Sequence, residues 1–245
     1  MNNTDAKKAV FFDCWGTVMA FHTKEDDWNT RPLKNHCLNS GHVDWAKVDQ
    51  FGKDFLDQYY ENNHAYEITA AAYLRLITKL FDIALDCPPE VCAKEILSFL
   101  DPKPISGIER FLTYLDDHHI YYAILSNTIY TEEETKKILN QQFPGNHFGY
   151  FFASSDIGVK KPNPLFFQAS IKDSGHAIQD SYYIGDSPIE DVYGSFKAGF
   201  KKSVWINSRQ LSMEDYHKFF NPDEIGYLEA DSYDGIIQAF EKGLL

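Results

Sequence analysis

Basic residues are scarce. Lys and Arg number 23 against 36 Asp and Glu, a formal net charge of −13, so most of the surface repels phosphate backbones and anionic lipid heads. No nucleic acid and no membrane partner is expected. Long apolar runs are also missing: nothing approaches the ~18 residues of a spanning helix, and the stretch 1–8 is polar, without the apolar segment of a secretory signal. A cytoplasmic location is expected. Cysteine is sparse, at four residues, and Cys14, Cys37, Cys87 and Cys92 contain no CxxC pair. The step from Cys87 to Cys92 is interrupted by two prolines and suits neither a redox helix nor a zinc knuckle, so reduced thiols are expected. His36, His42 and His64 fall at spacings that make no zinc-ligand pattern. What remains is ordinary globular composition, 44% hydrophobic and 24% charged, which excludes disorder, a collagen-like repeat and a disulfide-dense secreted scaffold.

A chain of 245 residues is expected to fold as one large domain or as one domain carrying a sizeable insertion. Residues 8–12 form a short apolar run ending at Asp13 and Gly16-Thr17, a buried strand opening into a turn. From about 18 to 99 apolar residues recur at helical spacing without strand signals, which predicts a mostly helical insert whose dense aromatics (Phe51, Phe55, Tyr59, Tyr60, Tyr66, Tyr73) belong mainly to its core. Asp101-Pro102-Lys103-Pro104 reads as a rigid hinge, because proline fixes φ and biases the residue before it away from helix. Beyond it, helices at 108–118, 131–142, 165–174, 192–198 and 233–244 alternate with strands at 120–125, 150–153, 182–184 and 203–206. Such alternation predicts an α/β fold: a Rossmann-like parallel sheet with helices on both faces, plus the inserted helical unit. The expected boundaries are 1–17 and 101–245 for the sheet domain and 18–100 for the insert. Ligands of such sheets bind beyond the carboxyl ends of the strands, and four polar clusters, at 13–17, 126–128, 160–162 and 185–191, fall there.

The order and spacing of FFDCWGTV, AILSNT, GVKKPNPLFF and YIGDSPIEDVYGSFKAGF resemble the four signature motifs of the haloacid dehalogenase-like hydrolase superfamily. One such motif is weak evidence; four in order are strong. The insert, lying just after the first motif, resembles the helical C1-type cap of that superfamily. The resemblance implies that Asp13 is a nucleophile forming an aspartyl intermediate, a role that a strand-end carboxylate facing the N–H groups of a turn can fill. It implies that Ser126 hydrogen-bonds a substrate oxygen, with Asn127 and Thr17 as further substrate contacts, and that Lys161 offsets negative charge between nucleophile and transferring group. Of the two adjacent lysines, the proline that follows Lys161 selects it for this role, and a solvated surface charge is an equal alternative for Lys160. Asp13, Asp186, Asp191 and the backbone carbonyl of Trp15 would hold Mg²⁺, a hard cation that takes ~6 oxygens from carboxylates, water and phosphate. Glu190 reads as part of a surface acidic loop.

The chain departs from the superfamily pattern at Trp15. Most phosphatases of this superfamily carry a second Asp two residues after the nucleophile; an indole donates one hydrogen bond but does not shuttle a proton, so general acid–base help of ~10²- to 10⁴-fold is missing from that position. His22, the nearest histidine in the insert, is the candidate to replace it and to contact substrate. The segment Asp26 to Arg31 is a candidate substrate contact, with an exposed polar loop as the preferred reading. The leading expectation is a Mg²⁺-dependent phosphatase acting on a small phosphorylated metabolite. A second is a 2-haloacid dehalogenase-type hydrolase, which also carries an aromatic residue at the Trp15 position but lacks the acidic metal motif and grips its substrate with a cap arginine; Arg31 and Arg75 are the insert's arginines. A third, resting on Trp15 alone, is a catalytically weak module that binds a phosphorylated ligand or a protein partner.

Overall fold

Ala9–Phe12 are buried at every position, the signature of a strand with neighbours on both edges and layers above and below it. They form β1 in a computed structural model that describes residues 8–61 and 66–245. The polar start at 1–7 and His64 lie outside the described residues, as does the side chain of Tyr60. The chain continues through β2 (Met19–Ala20) into helices α1 (Arg31–Asn35), α2 (Trp45–Glu61), α3 (Ala70–Leu80) and α4 (Pro89–Ile96), and returns through β3 (Lys103–Pro104). Then follow α5 (Ile108–Asp117), β4 (Tyr121–Ser126), α6 (Glu132–Gln142), β5 (Phe151–Ala153), the single turn α7 (Ser154–Ile157) and α8 (Pro164–Lys172). The last third holds β6 (Ser181–Gly185), a π-helical turn at Pro188–Tyr193 running into α9 (Gly194–Ala198), β7 (Lys202–Ile206), β8 (Tyr227–Ala230) and α10 (Tyr233–Glu241).

Six strands form one sheet in the order β5-β4-β1-β6-β7-β8, every neighbouring pair parallel. Alternate residues of β1 face opposite layers: Val10 and Phe12 pack with Ile108 and Phe111 of α5 and Ile236 and Phe240 of α10, whereas Ala9 and Phe11 pack with Phe166 and Phe167 of α8. Helices therefore cover both faces, the α/β architecture that the alternating pattern predicts. The sequence boundaries of α5, α6 and β7 hold to within a residue; Thr131 stands at the N-cap of α6 in a reciprocal capping box with Glu134.

Two features differ from the sequence reading. β8 is absent from it, because Tyr227–Ala230 is a short edge strand, only its last residue buried, with a glutamate in the middle; a half-exposed edge strand carries little periodicity. The residues read as a hinge are also paired: β2 and β3 make an antiparallel ribbon, Met19 opposite Pro104 and Ala20 opposite Lys103, extended by Ile105 N–H to the Val18 carbonyl at 3.0 Å and Asp101 N–H to the His22 carbonyl at 2.8 Å. The two crossings between sheet and helical insert are thus laced to each other. Among the described residues no helix is long and apolar enough to cross a membrane.

Candidate active site

The sheet order places β1 between β4, reached first, and β6, reached after the chain has doubled back; the crevice at such a reversal is where open α/β sheets bind ligands. Phe12 pairs with both Ile124 and Ile184, and Asp13 carries the ladder one step further, donating its N–H to the Ile184 carbonyl at 2.9 Å. Its carboxylate therefore emerges at the carboxyl edge of the sheet, beside Asp186, which follows β6, and Asp191 on the π-helical turn. One oxygen from each of these three carboxylates lies within 4.8 Å of the others.

Glycine makes that crowding possible. Gly16 has φ +86°, and a Cβ there would sit 2.7 to 2.8 Å from the Asp186 carboxylate. A Cβ at Gly185 would sit 2.2 Å from the Asp191 Cγ. Either side chain would push a carboxylate away from the strand ends.

Lys161 neutralises the cluster from beneath. Its side chain is fully buried, and Nζ donates to Asp13 Oδ1 at 2.7 Å, Asp191 Oδ1 at 2.6 Å and the Tyr183 hydroxyl at 2.9 Å. Asn127 clamps the lysine backbone on both sides: its Nδ2 donates to the Lys161 carbonyl at 3.0 Å and its Oδ1 accepts the Lys161 N–H at 2.8 Å. Burial would lower the ammonium's pKa, but the Asp13 and Asp191 charges outweigh it and hold Lys161 protonated well above the usual lysine range. Burial raises Asp13 to about 7 against the opposing pull of Lys161, and raises Asp186 to about 6, helped by Asp191 and opposed by Arg209. The raised values show that Lys161 and Arg209 offset the burial and mutual repulsion of these carboxyls only in part.

A cavity of about 540 Å³ opens above the cluster, within the range of small-molecule sites. Asp13, Asn127, Asp186, Ser187, Glu190 and Asp191 make its floor, and Trp15, Phe21, Trp28 and Tyr130 give it aromatic walls. Phe21 stands edge-on to both Trp15 and Trp28, with ring centroids 5.3 and 5.2 Å apart.

Asp13, Lys161, Asp186, Asp191, Trp15 and Asn127 are therefore brought together, but Asn127 holds Lys161 instead of reaching outward. Three candidates are placed elsewhere. Ser126 is buried at the end of β4 and outside the cavity lining, its hydroxyl 3.4 Å from the Asn127 carbonyl. Thr17 is fully buried beneath the site, its carbonyl accepting from the Tyr233 hydroxyl at 2.8 Å and its Oγ1 without a hydrogen-bond partner among the described residues. His22 is exposed and outside the lining, because the β2–β3 ribbon fixes its backbone against Asp101.

Other readings change as well. Lys160 is not a solvated charge: it is fully buried, its Nζ 4.5 Å from the centre of the Tyr59 ring. Within the segment read as an exposed loop, Asn29 and Thr30 are buried and Trp28 walls the cavity. Glu190 lines the floor, and burial, opposed by Lys161, raises it to about 7. Arg209, from the loop after β7, donates to Asp186 Oδ2 at 3.0 Å; no spacing rule flags an arginine so far from its partner. Phe21, Trp28 and Asp57 come from the insert and reach the cavity only through the fold.

Residues 86–205 match the family described as haloacid dehalogenase-like hydrolase. A phosphoserine phosphatase of Thermus thermophilus is 29% identical over 107 residues, 44% of this chain; the match spans 41% of the length of that relative. Among solved structures, a 2-haloacid dehalogenase from Pseudomonas syringae aligns with a TM-score of 0.67 at 15% identity, over 96% of this chain and 99% of that one. A HAD phosphatase from Thermococcus onnurineus aligns with a TM-score of 0.58 at 19% identity, over 97% of each. At these identities the two structures speak for the fold.

Proposed function

The chain belongs to the haloacid dehalogenase-like hydrolases, and from that premise we propose that it hydrolyses a small phosphate monoester through an ester formed on Asp13, with Mg²⁺ as cofactor. The observation that carries this reading is the convergence of the Asp13, Asp186 and Asp191 carboxylates within 4.8 Å, with Lys161 bonded to two of them. The donor set fits Mg²⁺: hard carboxylate oxygens, gathered where two glycines leave room. Asp13, Asp186 and Asp191, with the Trp15 carbonyl, would hold the ion, which when bound supplies charge neutralisation for an incoming phosphoryl group.

Lys161 occupies Asp13 Oδ1, so Oδ2 is the oxygen that attacks. A bond forms between Oδ2 and phosphorus while the bond from phosphorus to the leaving oxygen breaks; water then cleaves the acyl phosphate, giving inorganic phosphate and restoring the carboxylate. Trp15 cannot protonate the leaving oxygen. Glu190 lines the floor and, with its pKa raised to about 7, holds a proton to give at neutral pH. A Glu190→Gln variant is expected to slow an alkyl phosphate by roughly 10²- to 10⁴-fold while sparing p-nitrophenyl phosphate, whose leaving group departs unprotonated. Equal losses on both substrates would remove Glu190 from this role.

Residues 18–100 act in this reading as a cap on the sheet domain formed by 1–17 and 101–245, contributing Phe21, Trp28, Leu56 and Asp57 to the cavity wall. The aromatic walls favour a substrate whose body beyond the phosphate is apolar or aromatic. Chelator is expected to abolish p-nitrophenyl phosphate hydrolysis, and Mg²⁺ to restore it. Folded, Mg²⁺-loaded protein that turns over nothing in a broad phosphate-ester panel would end this reading. Thermal stabilisation by a phosphorylated compound that is not consumed would then leave a binding module.

Trp15 and the apolar walls favour a second reading, a 2-haloacid dehalogenase-type hydrolase. Against it, among the described residues no arginine lines the cavity: Arg31 is paired with Glu25 and Asp27, and Arg75 with Glu90. Chloride release from 2-chloropropionate in the presence of chelator would decide in its favour.

A further inference from the structure

The two prolines between Cys87 and Cys92 break the pattern of a sequence-local metal motif, yet the fold brings the pair together and adds a third group from 51 residues upstream. Cys87 Sγ and Cys92 Sγ are 3.8 Å apart. His36, at the C-terminal end of α1, offers a ring nitrogen within 4.8 Å of both sulfurs. We propose that His36, Cys87 and Cys92 form a zinc site in the helical insert, separate from the carboxylate cluster at the sheet edge and independent of the phosphatase reading.

Three observations carry the proposal. The first is size. In a tetrahedral site with Zn–S of ~2.3 Å, two ligating sulfurs stand about 3.8 Å apart, which is the separation found; a disulfide would need ~2.05 Å. The second is the surroundings of the imidazole. His36 Nδ1 lies 2.8 Å from Asp86 Oδ1 and Nε2 lies 3.0 Å from Glu95 Oε2. Whichever nitrogen binds the metal, the other stays bonded to a carboxylate, the arrangement that fixes the tautomer and orientation of a ligating histidine. The carboxylate released from the ring is then beside the metal as a fourth ligand, completing a set of two thiolates, one imidazole and one carboxylate oxygen, donors that suit zinc.

The third is rigidity. The backbone next to His36 pairs with that next to Cys87: Asp86 N–H donates to the His36 carbonyl at 3.0 Å, Leu38 N–H to the Ala84 carbonyl at 2.8 Å, and Cys37 bridges Leu85 in antiparallel register. Cys92 is fully buried on α4, whereas Cys87 and His36 are half-buried and accessible to an incoming ion. A site held by backbone pairing and a helix needs little rearrangement to bind. Binding exchanges the two S–H protons for two S–Zn bonds, and those protons leave to solvent.

Cobalt and zinc ions alone test this on the full chain, reduced and stripped with chelator. One equivalent of Co²⁺ is expected to give the thiolate-to-metal charge-transfer absorption and strong visible bands of a tetrahedral sulfur-ligated ion, and one equivalent of Zn²⁺ to displace it. Cobalt at the Asp13, Asp186 and Asp191 cluster would meet oxygen alone and give no charge-transfer band, so the two sites fail or succeed separately. Cys87→Ser and Cys92→Ser are each expected to lose the band, and Cys37→Ser to keep it; unchanged circular dichroism without metal shows that the variants fold. Glu95→Gln spares the thiols and is expected to weaken zinc about 10- to 100-fold. Weak oxygen-type cobalt spectra, a band that survives Cys87→Ser, or zinc that leaves both thiols as open to a labelling reagent as before would each overturn the site.

Discussion

A Lys161→Met variant is expected to lose about 3–5 kcal/mol of stability at neutral pH in the absence of divalent metal, the cost of leaving buried charge without its partner. The ammonium is bonded to Asp13, Asp191 and Tyr183, and its removal leaves carboxylates that are already crowded to repel one another without a counter-charge. Methionine fills nearly the same volume, so lost packing contributes little. The opposite substitution separates electrostatics from packing. Asp13→Asn removes one negative charge from the same cluster and is expected to leave stability unchanged or raised, while turnover falls by roughly 10⁴-fold or more because the nucleophile is gone. Urea unfolding with and without Mg²⁺ reads both effects. Lys161→Met as stable as the parent would mean that the ammonium is not the cluster's counter-charge, and Asp13→Asn destabilised as much as Lys161→Met would assign the loss to packing.

The sheet was legible because its strands are short buried runs ending in polar turns, and β1 shows the pattern in five residues from Lys8 to Phe12. The floor of the cavity was legible for the same reason: Asp13, Asp186 and Asp191 follow strands whose ends the topology must gather. What stayed hidden depended on tertiary placement. Asn127 reads as a substrate contact until the fold turns its amide onto the backbone of Lys161. Glu190 reads as surface because the residues around it are polar, whereas the π-helical turn carries it to the cavity. His22 sits only nine residues from the nucleophile, but the β2–β3 ribbon holds it away from the cavity. Arg209 and the His36–Cys87–Cys92 cluster each bring together groups from distant stretches of chain, and no periodicity records such meetings.

The same cluster should make stability depend on pH with an unusual sign. Burial is the main cause that lifts Asp13 to about 7, Asp186 to about 6 and Glu190 to about 7, from ordinary values of 3.8, 3.8 and 4.5. A carboxyl whose pKa is higher in the folded state binds more protons there than in the unfolded chain. Its contribution is therefore fully present below the ordinary value and is lost as pH rises through the raised one. Without metal these three groups should cost stability progressively from about pH 4 to about pH 7, while surface pairs such as Asp101 with Lys103, whose carboxyl is lowered, pull the other way. The cluster's share is isolated by comparing thermal midpoints of the parent and Asp13→Asn across that window. The two should nearly coincide at about pH 4, where Asp13 is neutral, and the variant should gain on the parent progressively up to about pH 7 and hold a constant lead above it. Mg²⁺ reverses the trend by replacing protons with a cation. At a hundred times its dissociation constant it should add about 2.7 kcal/mol, and its binding should release protons between about pH 5 and 7, measurable as a calorimetric enthalpy that varies with the ionisation heat of the buffer. A midpoint difference that stays constant with pH, or Mg²⁺ binding that releases no protons, would mean that these carboxyls are ionised in the metal-free fold and that Lys161 and Arg209 balance them.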